Sequence, residues 1–171
     1  MRILLLGKNG QLGWELHRCL STLGELIAVD FPEIDLTDLD SIHNIVLQFK
    51  PEVIFNATAY TEVDRAETEP DVACVLNGKA PGLLAEAAKA LDAAFIHYST
   101  DYVFDGRKGK DYVETDVPNP LNTYGKSKLT GEKNIIAVDG SYLIIRTSWV
   151  YSTANYHAIR NKSFVTKVLK G

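Results

Sequence analysis

"MRILLLGKNGQLGWEL", Met1 to Leu16, decides how the rest of the chain is read. An apolar run ends at Gly7, glycines follow at 7, 10 and 13, and helix-spaced apolar residues begin near Gln11. Strand, glycine turn and helix start therefore follow one another directly. Glycines there permit a tight turn, a close approach of backbone to a pyrophosphate, and close packing of helix on strand. The helix start adds free N–H groups and a positive dipole end. The apolar run is too short for a signal core or a membrane span. A glycine triplet alone is weak, since ordinary turns also use glycine. This one gains weight from Asp30, which closes the next apolar run about twenty residues on, where an acidic side chain meets the adenine ribose in dinucleotide sites.

Working outward, "RILLL", "LIAVD", "VIFNA", "AFIHYS" and "YLIIRTS" read as buried strands. Between them lie helical patterns: Leu39, Ile42, Ile45, Val46 and Phe49, capped by Thr37 or Asp38 and ending before Pro51, and then "PGLLAEAAKALD". The alternation predicts an α/β fold, a Rossmann-like doubly wound parallel sheet with helices on both faces. Ligands of such sheets collect beyond the carboxyl ends of the strands. Attention therefore falls on Gly7 to Gly13, Asp30, Asn56 to Tyr60, Ser99 to Tyr102 and Thr147 to Tyr151.

Composition narrows the function classes. The 171 residues are 46% hydrophobic, enough for a core and for one domain with a fragment of a second. A formal net charge of -4 argues against sequence-independent nucleic-acid binding. Cys19 and Cys74 stand apart and read as reduced, buried thiols, which predicts a cytoplasmic protein with no membrane partner. His17, His43, His97 and His157 share no metal-ligand spacing. Glu62, Asp64, Glu67 and Glu69 read as a solvated helix face rather than a magnesium site.

"HYSTDYVFDG", His97 to Gly106, ends a buried strand in hydroxyls and a carboxylate, polarity that such a strand gains from only by opening into a site. "NPLNTYGKSKLTGE" then puts Tyr124 and Lys128 one helical turn apart on one face. A strand-end Ser/Thr with Tyr-xxx-Lys resembles the triad of the extended short-chain dehydrogenase/reductases. Together with "NATAYTEVDRAE" and "RTSWVY", the chain from Met1 to Tyr151 resembles the dTDP-4-dehydrorhamnose reductase family.

The resemblance implies reduction of dTDP-4-dehydro-L-rhamnose to dTDP-L-rhamnose by NADPH or NADH, with a dTDP-4-keto-6-deoxyhexose as partner. It implies that Gly10, Gln11 and Leu12 lie on the pyrophosphate, Asp30 on the adenosine ribose, and Thr58, Ala59 and Tyr60 along the cofactor. Gly7 and Gly13 complete the turn. Asp35 and Leu36 border the adenine, or Asp35 starts a helix cap. Asp30 favours NADH, whereas Lys8 and Arg2 would neutralise a 2'-phosphate, so the two cofactors stay open.

By the same resemblance, Thr100 orients the ketone and tunes Tyr124, Tyr124 delivers the proton, and Lys128 holds the nicotinamide ribose and lowers the Tyr pKa. Asp101 and Trp149 touch the sugar nucleotide. Some members use magnesium, but no ligand set is readable, so no metal residue is assigned. The expected organisation is a cofactor domain over 1-151 and the start of a truncated C-terminal region over 152-171, with homodimer pairing through exposed helices. Another extended dehydrogenase of nucleotide sugars, such as an epimerase, is the near alternative. A non-catalytic NAD(P)-binding module, like the regulatory subunit that accompanies methionine adenosyltransferase, is the distant one.

Overall fold

The computed structural model describes residues 1–150. Five strands, β1 (Arg2–Leu6), β2 (Glu25–Val29), β3 (Val53–Asn56), β4 (Ala94–Thr100) and β5 (Tyr142–Thr147), form one sheet in the order β2-β1-β3-β4-β5. All four pairings are parallel. The fold is the expected Rossmann-like α/β sheet. Ile3, Leu4, Leu5 and Leu6 are wholly buried, so β1 is apolar on both faces, as a central parallel strand must be.

Six α-helices are described: α1 (Gln11–Leu20), α2 (Leu39–Phe49), α3 (Val63–Ala66), α4 (Pro70–Cys74), α5 (Ala80–Ala90) and α6 (Thr123–Val138). Right-handed crossovers in this strand order put α1 on one face and α2, α5 and α6 on the other. On the second face Leu4, Leu6, Ile54 and Phe95 pack with Ile42, Val46, Leu84 and Ile135 into the main core. Asp38 is the cap of α2, its carboxylate accepting from the Asp40 N–H at 3.1 Å. The helix expected over the acidic stretch is the single turn of α3, whereas α4 and the π-helical turn Val75–Lys79 that joins α4 to α5 carry no signal in the apolar spacing.

Register brings the strand ends together. Leu6 pairs with Val29 and with Asn56, so Gly7, Asp30 and Ala57 leave the sheet side by side. Asn56 pairs with His97, and β4 runs on to Thr100 beside Thr147. The strand order reverses between β1 and β3, the place where ligands of open α/β sheets bind. Arg2 starts β1 at the opposite edge, where its Nε donates to the Lys50 carbonyl at 2.7 Å. It therefore cannot meet a phosphate in the site. Cys19 is exposed and Cys74 half-buried, against the expectation of buried thiols, because Cys19 falls on the solvent side of α1. Tyr151, His157 and the proposed boundary at 151/152 lie outside the described residues.

Candidate active site

The glycine turn is built by close approach. Gly7 has φ +88°, and a Cβ there would lie 2.9 Å from the Ala57 backbone. A Cβ on Gly13 would lie 1.8 Å from the Gly7 carbonyl oxygen. Gly13 thus seats α1 on the turn and does not line the cleft, so its part is packing rather than ligand contact. Gly10 is the N-cap residue of α1 in extended conformation, with no side-chain cap and no acidic residue in the first turn. Such an end suits an anion.

A cleft of about 820 Å3 runs over these ends, lined by Gly7, Gly10, Gln11, Leu12, Asp30, Asp35, Leu36, Thr58, Ala59, Tyr124 and Lys128 among others. The Asp30 carboxylate accepts from the backbone N–H of Asn9 at 2.9 Å and of Phe31 at 2.8 Å, which fixes its direction at the end of β2. Asp35 borders the cleft and accepts from the Thr37 backbone and hydroxyl; the capping alternative belongs to Asp38. Lys8 is paired with Glu33 at 2.6 Å. Tyr60 does not reach the cleft: its N–H is held by the Asn77 side chain and its hydroxyl donates to Glu69 at 2.6 Å. The acidic stretch is more than a solvated face. Glu69 holds Tyr60 and Arg65, and Glu67 accepts from the backbone N–H and hydroxyl of Thr123 at 2.7 Å each, anchoring the start of α6.

A second cavity of about 230 Å3 adjoins the cleft and brings together Thr100, Asp101, Tyr124 and Trp149. Tyr124, Ser99 and Thr147 line both spaces and form their shared wall. Ser99 was not singled out as a site residue, although it sits in the polar strand end that marked the site. Its Oγ is buried and has no hydrogen-bond partner among the described residues, which suits a polar ligand atom on that wall. The uncapped helix start, the glycine cradle, the Asp30 carboxylate and this hydroxyl together fit a dinucleotide lying across the cleft.

Burial raises the Tyr124 phenol above its ordinary value; Thr100's hydrogen bond pulls it back, and Asp101 and Tyr102 push it further up. The expected net depression by Lys128 is therefore not found, because burial of the phenol outweighs the opposing effect. Lys128, 1% exposed, donates to the Tyr98 carbonyl at 2.7 Å, and burial lowers it to about 8 while Glu132 acts the other way. Among the described residues no three His, Cys, Asp or Glu side chains cluster to hold a metal, and no helix is long and apolar enough to cross a membrane.

The family described as the RmlD substrate binding domain matches residues 1–170. The chain belongs to this family. It is similar to a dTDP-4-dehydrorhamnose reductase of Burkholderia thailandensis, 46% identical over 170 residues, covering 99% of this chain and 55% of that protein. Among solved structures it is similar to a dTDP-4-dehydrorhamnose reductase of Clostridium acetobutylicum, with TM-score 0.91 and 37% identity over 99% of this chain and 59% of that one. It is also similar to the Bacillus anthracis dTDP-4-dehydrorhamnose reductase in complex with NADP, with TM-score 0.90 and 34% identity over 99% and 58%. The chain spans about half the length of the curated relatives it matches.

Proposed function

We propose that this chain carries the cofactor site and catalytic triad of an NAD(P)H-dependent reductase that converts dTDP-4-dehydro-L-rhamnose to dTDP-L-rhamnose in a cytoplasmic pathway. The observation that carries the reading is that Tyr124 stands in the wall shared by the dinucleotide-shaped cleft and the smaller cavity of Thr100, Asp101 and Trp149. The names of the similar reductases and the NADP complex of one of them support it. Residues 1-151 would be the cofactor domain, and 152-171 the start of a further region.

When bound, the reduced nicotinamide supplies hydride to the ketone carbon. The ketone oxygen then needs a proton, and Tyr124 can give it. Its raised pKa keeps it protonated at neutral pH, as an acid at rest should be. Thr100, which lines the smaller cavity beside Tyr124, would orient the carbonyl oxygen toward that proton. Lys128 lines the cleft one turn along α6, where it would hold ribose hydroxyls and, when charged, favour the phenolate left behind. Gly10, Gln11 and Leu12 would take the pyrophosphate and Asp30 the adenosine ribose. Asp101 and Trp149 would meet the sugar nucleotide.

Reduced-nicotinamide absorbance, followed with dTDP-4-dehydro-L-rhamnose present, should fall in proportion to the sugar consumed. No loss, with cofactor binding shown separately, would leave a binding module. Conversion of a nucleotide sugar without net loss would point to an epimerase.

A further inference from the structure

The proposed triad leaves a polar chain beneath it unexplained. Lys128 Nζ stands 3.3 Å from His97 Nε2, and His97 Nδ1 stands 3.2 Å from Asn56 Nδ2, all inside the protein. The far end of this chain fixes every proton in it. The Thr58 backbone N–H can only donate, and it donates to Asn56 Oδ1 at 3.1 Å. That sets the amide orientation, so Asn56 offers an N–H to His97 Nδ1, which must accept. A neutral imidazole carries one N–H, and here it is left on Nε2, facing Lys128. The ring is neutral, because burial holds it well below its ordinary pKa. An ammonium at Nζ would set donor against donor. An amine would accept from Nε2–H while still donating to the Tyr98 carbonyl.

We propose that His97 is a positioning residue for Lys128: its tautomer, fixed by Asn56, presents Nε2–H to Nζ and favours the amine over the ammonium. Taking up a proton then requires Lys128 to lose its contact with His97, or Asn56 to turn and release Thr58 on the cofactor side. The charge of Lys128 is thus tied to the end of β3, where Thr58 lines the cleft. The other titratable groups bearing on Lys128 are Glu132 and Tyr124 on its own helix, Tyr98 on β4, and Arg146 on β5, held at 2.6 Å from Glu132. The π-helical turn presents the neutral Asn77 amide, held on Ser127.

The tautomer and titration do not depend on turnover; only their kinetic consequence rests on the reductase reading. Long-range 1H–15N spectra of the chain should show His97 protonated on Nε2. A 13C-labelled Lys128 should titrate far below the ordinary lysine value of about 10.4, and in His97→Gln, whose amide can offer an acceptor, its midpoint should rise by about one unit. Protonation on Nδ1, or titration of Lys128 at the ordinary value, would overturn the proposal. So would an unmoved midpoint in a folded His97→Gln protein, since a purely structural histidine would change stability and leave that midpoint alone. If the spectra come out as expected and no reduced cofactor is consumed, the reductase reading fails and this one stands.

Discussion

At the residue scale the site is a contest between burial and charge. Tyr124 is kept protonated by burial, so Tyr124→Phe removes the proton and little else. Its turnover should fall by roughly 10²- to 10⁴-fold, with NADPH affinity, read by fluorescence titration, within about twofold. Lys128 carries the reverse burden. Its folded pKa of about 8 lies below its unfolded value, so the unfolded chain binds more protons between the two. The cost to stability is full below pH about 8, fades as pH rises, and is gone above about 10.4; at neutral pH it amounts to roughly 3 kcal/mol. Lys128→Met should therefore lose turnover yet resist urea better than the parent at pH 7, and that advantage should shrink as pH climbs through the window. Lys8 offers a subtler handle, because Glu33 now holds it. Glu33→Gln should release it toward a 2'-phosphate and raise the ratio of NADPH to NADH affinity about fivefold, measured by competitive titration.

At the element scale, the turn after β1 and the start of α6 do the positioning. With only a hydrogen at Gly13, α1 sits against the Gly7 carbonyl. Gly13→Ala should push the helix off the strand, cost about 1–3 kcal/mol in urea unfolding, and weaken nucleotide binding in the same variant. The glycine spacing was legible in the sequence because it is local. The duty of each glycine was not: Gly7 bends the turn, Gly13 packs it. The anchoring of α6 was also hidden, since Glu67 and Thr123 are fifty-six residues apart. Tyr60 looked like a cofactor contact from its neighbours Thr58 and Ala59, yet Asn77, seventeen residues on, and Glu69, nine residues on at the start of α4, turn it aside.

At the scale of the whole molecule, a dinucleotide across the cleft would join the ends of β1, β2 and β3 to α6. Saturating NADPH, at about a hundred times its Kd, should add about 2.7 kcal/mol. Thermal unfolding should then shift upward by several degrees, in the parent and in Tyr124→Phe alike. An unchanged midpoint in both would speak against the cleft as the cofactor site.

The sequence by itself determined the sheet, the glycine turn, the family, and the pairing of Tyr124 with Lys128, because strand and helix periods and one-turn spacing are local properties of the chain. Only the tertiary structure decided which residues share a wall, which way Tyr124 is shifted, that Arg2 lies at the wrong edge, and that His97, one of four histidines without a readable role, stands behind Lys128. Burial and hydrogen-bond direction depend on partners brought together by the fold from β3, β4 and α6, and no spacing along the chain encodes them.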